Sequence, residues 1–173
     1  MRLNELLAPI PSLTQADLQN QLQQALDNKT KPIGALGQIE ALALRLGLIL
    51  GNAQPELLAP QILVYAADHG LAAHGVSAYP SDVTWQMVNN FLAGGAAINV
   101  LARQHGLALQ IVDCGVRHDF APHLGLIDQK IAYGSADSLQ QPAMTAAQCE
   151  QALINGAQLL ADLPGNALLL GEM

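Results

Sequence analysis

Charge, aromatic rings and cysteine are all scarce in this sequence. Charged residues fill 12% of the 173 positions, half of the ordinary ~25%, so much of the surface is expected to be covered. Aromatic residues contribute only 3%, and the 51% hydrophobic content is carried by Ala, Leu, Ile and Val. Small aliphatic side chains suit helices packed closely on a sheet. Lys and Arg number 7 against 14 Asp and Glu, a formal net charge of −7. Without a basic stripe, nucleic acid is not an expected partner. Small anionic ligands stay open, because helix N-termini and a few lysines bind them locally. The two cysteines, Cys114 and Cys149, lack metal-ligand spacing and form no disulfide framework. Reduced thiols and a cytoplasmic location are the expectation. The N-terminal stretch has no sustained apolar core of a secretory signal. No run reaches the roughly 18 apolar residues of a membrane span, so no membrane partner is expected.

Familiar catalytic frames are missing too. Ser77 and Ser81 lack a Gly-x-Ser-x-Gly setting, and Cys114 has no base beside it in sequence. No Gly-x-Gly-x-x-Gly follows a strand and no Walker loop occurs, which argues against a nicotinamide dehydrogenase or an ATPase. Asp68, His69 and His74 hint at a metal-dependent hydrolase. Their spacing is not that of a helical His pair, and no Cys or second acidic motif completes the set. His118 and His123 lie on an irregular segment and are expected to face solvent.

What is present is alternation of two periods. Ser12 and Gln15 form a capping-box pattern ahead of Leu18, Leu22, Ala25 and Leu26 at helical spacing. Lys29 to Pro32 break that helix. A second helix is predicted from about Leu36 to Leu50, ending at Gly51. The period then changes. Gln61 to Ala67 is a short apolar run between Pro60 and Gly70, the signature of a strand buried on both faces. A long loop, Asp68 to Pro80, precedes a helix from about Val83 to Gln104 that Gly94-Gly95 interrupts. A second buried strand is predicted at Leu107–Val112, a weak one at Lys130–Tyr133 and a third buried one at Ala167–Leu170. Thr145 and Gln148 form another capping box, opening a helix to about Leu163. Strands alternating with helices predict an α/β fold: a parallel, Rossmann-like sheet flanked by helices. Residues 1–55 read as a helical segment and 56–173 as a partial α/β domain. A buried strand that delivers Gly171-Glu172 with no loop or helix after it reads as a fragment, against the alternative of a complete domain with a frayed terminal strand.

Ligands of open parallel sheets bind beyond the carboxyl ends of the strands. Asp68, Asp113 and Glu172 each follow an apolar run there. Burying a carboxylate is costly unless it is paired or hydrogen-bonded. Each one alone is as well explained by capping a loop through nearby N–H groups; three at one edge favour a site. The loop from Gly70 to Pro80 offers a small apolar wall, with Val76, Ala78, Tyr79 and Pro80, beside a strand-end carboxylate. Such a wall suits a flat heterocycle. It equally suits a packing loop with a Tyr on its rim.

Seven motifs then occur in order: Lys31-Pro-Ile-Gly-Ala-Leu-Gly37, Ala67-Asp-His-Gly70, Gly75-Val-Ser-Ala-Tyr-Pro80, Asn90-Phe-Leu-Ala-Gly-Gly-Ala-Ala-Ile-Asn-Val100, Val112-Asp-Cys-Gly-Val116, Pro142-Ala-Met-Thr145 and Gly171-Glu-Met173. The set resembles the nicotinate-nucleotide–dimethylbenzimidazole phosphoribosyltransferase family across nearly the whole chain. The resemblance implies a parallel α/β sheet with the N-terminal helices in a small helical domain and the C-terminal half missing, and transfer of phosphoribose from nicotinate mononucleotide to 5,6-dimethylbenzimidazole in cobalamin assembly, by a homodimer with no metal and no cofactor. Family members are about twice this length, and the glutamate assigned as their catalytic base falls in the part not present. By resemblance, Tyr79 and Pro80 are the benzimidazole wall. A family Gln on the following helix aligns with Met87, with Gln86 beside it, and Glu172 belongs to the nucleotide and base site. Asp68 is added from its strand position. The alternative is a binding or assembly module of the same fold.

Overall fold

The computed structural model describes residues 12–173. Residues 1–11, which carry most of the stretch read for a secretory signal and the start of the 1–55 segment, lie outside the described residues. The described residues up to Leu57 form one compact unit, and Leu58–Met173 form another.

The first unit holds two helices, α1 (Ala16–Asp27) and α2 (Gln38–Leu50). Ser12 does not cap α1: the helix starts from Gln15 without a side-chain cap, and the Ser12 hydroxyl contacts Thr14 Oγ1 at 2.7 Å. Side chains compete locally for such short polar contacts when no helix end is within reach. Leu22 of α1 is buried against α2, where a Cβ on Gly47 would lie 2.4 Å from a Leu22 methyl. Small size at Gly47 therefore sets the close approach. Glu40 closes the intervening turn. It pairs with Lys31 at 2.8 Å and accepts the Leu36 N–H at 3.0 Å. Those bonds, the Lys31 contact foremost, hold its carboxyl below the ordinary range. Gly51 ends α2 in the left-handed conformation, as the pattern predicts.

The second unit is a parallel sheet with helices. Its strands are β1 (Gln61–Ala67), β2 (Ala108–Gly115), β3 (Leu126–Asp128) and β4 (Leu168–Glu172), in the order β3-β2-β1-β4, every pair parallel. β1 is central, which explains its continuous apolar run. Ile62, Val64 and Ala66 face one side with period two and pack with Val88, Ala102 and Ile111. Leu63, between them, is fully buried as well. Helices α3 (Asp82–Leu92) and α4 (Ala97–His105) link β1 to β2, and α5 (Ala146–Asp162) precedes β4.

Three expectations shift. The predicted helix through Gln104 is two helices, because Gly94 takes a positive φ of 78° and Asn99 re-ties the break. Asn99 accepts the Ala96 N–H and donates to the Phe91 carbonyl. The weak strand is Leu126–Asp128 rather than Lys130–Tyr133. Lys130 instead turns its ammonium inward to Asp113, at 2.8 Å. β2 runs on to Gly115, so Asp113 lies within the strand rather than after it.

Candidate functional site

Two buried carboxylates occupy the carboxyl end of the sheet. Asp113 is 2% exposed. Its Oδ1 accepts the N–H groups of Gly115 and Val116 at 3.0 and 2.9 Å, and its Oδ2 meets Lys130 Nζ at 2.8 Å. Lys130 also donates to the carbonyls of Val116 and His118. This carboxylate is fully engaged in closing the turn after β2.

Asp68, one residue past β1, is 3% exposed. Its Oδ2 accepts the Arg117 N–H at 2.8 Å, while its Oδ1 is buried with no hydrogen-bond partner. The backbone around it is fixed. Asp68 N–H donates to the Gly115 carbonyl, and its own carbonyl accepts the Ser135 N–H. Leaving a charged acceptor buried and unmatched costs on the order of 1–3 kcal/mol or more.

The segment 131–145 folds over these strand ends. Gly70 donates to the Ser135 carbonyl at 3.1 Å, and a Cβ on Gly70 would sit 2.5 Å from Asp137 N. Only a residue without a side chain permits that approach. His74, on the 3₁₀ turn Gly70–His74, binds Asp137 Oδ2 at 2.7 Å, and Asp137 Oδ1 accepts the Leu139 N–H. The His74 contact is the main reason the Asp137 carboxyl is held below its ordinary value. Arg117 adds bonds from Nε and Nη2 to the carbonyls of Tyr133 and Ser135. Thr145 and Gln148 complete the predicted capping box and start α5 here.

Between the ends of β1 and β2, this segment and the first turns of α5 lies a cavity of about 510 Å³. Asp68 and Cys114 belong to its lining, with Ile131, Pro142 and Met144 among the apolar walls. Burial, then the neighbouring Asp113 charge, pushes the Cys114 thiol up to about 11, so it is a neutral group.

Of the six residues assigned to substrate binding (Asp68, Tyr79, Pro80, Gln86, Met87 and Glu172), Asp68 alone lines this cavity, which His69 of the metal hint also lines. Tyr79 is 71% exposed, and Pro80 and Gln86 are exposed with it, while Met87 is half-buried on α3. Glu172 is exposed at the last position of β4, opposite Tyr65 of β1. The backbone of Met173 continues that ladder, donating to the Tyr65 carbonyl at 2.8 Å. Asp68 and Glu172 therefore share the carboxyl edge of adjacent strands. His118 does not simply face solvent. It stacks on Trp85 with ring centroids 4.9 Å apart and meets Phe120 edge-on. His123 is exposed. Among the described residues no group of three or more His, Cys, Asp or Glu is arranged to hold a metal, and no helix is long and apolar enough to cross a membrane. Sequence reasoning missed Ser135, Met144 and the wall they form. The available signal was the motif ending in the Thr145 capping box.

Comparison with known proteins agrees with the seven motifs. Residues 11–173 match the family described as Phosphoribosyltransferase. A nicotinate-nucleotide–dimethylbenzimidazole phosphoribosyltransferase of Variovorax paradoxus (strain S110) is 64% identical over 170 residues, covering 98% of this chain and 49% of the relative. The one of Dechloromonas aromatica (strain RCB) is 54% identical over 165 residues, 94% of this chain and 47% of its own length. The crystal structure of CobT from Thermus thermophilus superposes with a TM-score of 0.82 at 42% identity, over 91% of this chain and 48% of that one. The chain spans about half the length of the curated relatives it matches. On its sequence and its Rossmann-like parallel sheet, this chain belongs to the nicotinate-nucleotide–dimethylbenzimidazole phosphoribosyltransferase family.

Proposed function

We propose that this chain supplies the first half of an enzyme that moves phosphoribose from nicotinate mononucleotide to 5,6-dimethylbenzimidazole, giving α-ribazole 5′-phosphate and nicotinate for the nucleotide loop of cobalamin. The 64% identity to a relative of that name, over 98% of the chain, carries the reading. Tyr79, Pro80, Gln86 and Met87 form one wall for the base. Asp68 and Glu172 supply carboxylates at the strand ends, on the α/β domain assigned to residues 56–173. The helical segment at residues 1–55 belongs to a separate small domain. The enzyme works as a homodimer in the cytoplasm.

The chemistry suits those parts. A benzimidazole nitrogen attacks the anomeric carbon of ribose, the bond to nicotinate breaks, and the other nitrogen gives up its proton. A carboxylate in a partly apolar pocket has a raised pKa and can take that proton. Nicotinate leaves a cationic linkage readily, so alignment supplies much of the rest. The proton acceptor belongs to the half of the relatives that this chain does not span, and the 173 residues alone bind without turnover.

Two measurements test this. In the first, 5,6-dimethylbenzimidazole is titrated into the chain and into its Tyr79→Ala and Glu172→Gln variants. Each substitution is expected to weaken binding by roughly tenfold, the equivalent of about 1.4 kcal/mol; undiminished binding by both overturns the wall. In the second, α-ribazole 5′-phosphate is assayed for the chain alone and joined to the second half of the Variovorax relative. Product is expected only from the joined protein, and product from the chain alone overturns the placement of the proton acceptor.

A further inference from the structure

We propose that the outer edge of β4 is a self-pairing surface. In the 173-residue chain, β4 of one copy lies antiparallel against β4 of a second copy, with Leu170 on the two-fold axis.

The first observation is a difference between the two outer strands of the sheet. β3 spans only Leu126–Asp128. The Asp128 carboxylate at its end accepts the Lys130 N–H at 3.1 Å, and Asp119, His123 and Lys130 gather around it. Short length and charge are ordinary ways of guarding a sheet edge. β4, Leu168–Glu172, has no Lys, Arg or Pro, and its one charge stands at the last position. Among the described residues no strand pairs with its outer side. Leu169 and Leu170 are 45% and 69% exposed, although their register partners on β1, Ile62 and Leu63, are buried.

The second observation is the direction of the backbone groups. Met173 donates to the Tyr65 carbonyl and accepts the Ala67 N–H, and the Ala167 carbonyl accepts the Gln61 N–H. Bonding direction alternates along a strand. Leu169 and Gly171 therefore turn toward β1 as well, and Leu168, Leu170 and Glu172 turn their N–H and C=O groups to the open edge. Side chains alternate too, so Leu169 and Leu170 stand on opposite faces of the sheet. A helix laid on the sheet would cover one of them and leave the backbone row unpaired. An added strand meets that row and brings side chains to both faces.

The third observation is that β4 complements itself. In an antiparallel pair centred on Leu170, the two Leu170 residues exchange backbone bonds, and Leu168 exchanges them with Glu172 of the second copy. Every group used points outward already. The Leu170 side chains meet on one face. On the other, each Leu169 lies across from Gly171 of the second copy, which has no side chain to obstruct it. Glu172 falls opposite Leu168, so no two carboxylates are opposed, as they would be in a pair centred on Glu172. Such a contact is isologous and closes at two copies, whereas β4 on β3 of another copy would not close. The seam ends at Glu172, beside a residue assigned above to substrate.

The pairing does not rest on the reaction proposed above, and its test uses neither substrate nor product. Sedimentation velocity of the 173-residue chain through the micromolar range is expected to show a monomer–dimer equilibrium. Leu170→Lys sets two ammonium groups face to face on the axis and is expected to weaken the dimer at least roughly a hundredfold. Leu124→Lys, at a fully exposed position beside β3, is expected to leave it unchanged. Circular dichroism checks that both variants stay folded. A second readout uses Leu170→Cys in a Cys149→Ser chain. Residues paired this way have Cα atoms about 5.5 Å apart, within reach of a disulfide, so mild oxidation is expected to link two copies. Leu124→Cys in the same chain is expected to stay unlinked. A parent that is monomeric throughout overturns the inference, as do a dimer unaltered by Leu170→Lys, equal linkage from Leu124→Cys, or particles that grow beyond two copies. A monomeric parent that binds the second half of the Variovorax relative, and loses that binding in Leu170→Lys, overturns self-pairing and gives the edge to that half.

Discussion

The ends of β1 and β2 lie side by side in one sheet and treat a buried carboxylate in opposite ways. Ala66 is paired with Asp113 and Ala67 with Gly115, the register slipping between them. On β2, Asp113 is enclosed by two backbone N–H groups and Lys130. On β1, Asp68 has one N–H and an oxygen with nothing opposite it. Equal burial thus conceals unequal purpose. One carboxylate stabilises a turn. The other keeps one buried oxygen without a partner among the described residues, which fold stability does not reward.

The sharpest way to break this comparison is to remove each group in turn. Asp113→Ala leaves the Lys130 ammonium and two N–H groups without their acceptor. Removing one partner of a buried pair costs about 3–5 kcal/mol, and a loss of that size is expected in urea unfolding. Asp68→Asn puts a single backbone hydrogen bond at risk and removes an unmatched charge. Its unfolding free energy is expected to stay within about 1 kcal/mol of the parent. Equal losses from the two substitutions would make Asp68 a structural residue like its neighbour.

Next in size is the contact that roofs the β1 end, tighter than the one at the β2 end, where a Cβ on Gly115 would lie 3.0 Å from the Ala132 carbonyl oxygen. A methyl on Gly70 would meet the Asp137 nitrogen at 2.5 Å and the Ala136 carbonyl carbon at 2.6 Å. Both are backbone atoms and cannot rotate away. Gly70→Ala is expected to cost about 1–3 kcal/mol, as overpacking does, by displacing the 131–145 segment. Thermal unfolding reads the loss, and a neutral outcome would show that the segment is not held as tightly as its hydrogen bonds indicate.

Much of the fold was legible because its signals are local. The apolar run Gln61–Ala67 announced the central strand, since a strand covered on both faces has no polar positions to spare. The Thr145 box announced α5 through a bond only three residues long. Ser12 matched the same pattern and failed, because the box is a helix end only if the backbone there is helical. The carboxylates were legible as a set and not as individuals. Nothing near Asp113 in sequence shows that Lys130 will reach it. The cavity was less legible still. Its floor and roof meet through Gly70 with Ser135 and His74 with Asp137, contacts between distant segments that no periodicity encodes. Lys130 to Tyr133 was misread for the same reason: its apolar and aromatic residues mimic a strand, while Lys130 serves Asp113.

A smaller effect separates the two thiols. Cys114 stands beside Asp113 at the β2 end, partly buried, with its thiol pushed up to about 11. At pH 8 about one in a thousand such groups is the reactive thiolate. Cys149 is exposed on α5. Iodoacetamide at pH 8 is expected to alkylate Cys149 at least roughly tenfold faster, as followed by peptide mass spectrometry. Comparable rates would mean that the β2 end opens to solvent more readily than the engaged Asp113 implies.

The smallest effect concerns the clasp over the β1 end, and its sign follows from Asp137. The His74 ring and the Leu139 N–H both favour the ionised carboxylate, which lowers its pKa from the ordinary 3.8. The folded chain therefore binds this proton less readily than the unfolded chain does. The stabilising contribution is present in full above the ordinary value and is lost as pH falls through the lowered one. The pair is at the surface, so solvent screens it and the change in global stability is slight. The Leu139 amide resonance, followed in an acid titration, gives the measurement. A transition with its midpoint below 3.8 is expected in the parent, and its disappearance is expected in Asp137→Asn. A midpoint at or above that value would show that His74 does not hold the carboxylate in solution. The segment over β1 would then be held without that pair, by the backbone bonds of Ser135 to Asp68 and Gly70 and by the Arg117 side chain.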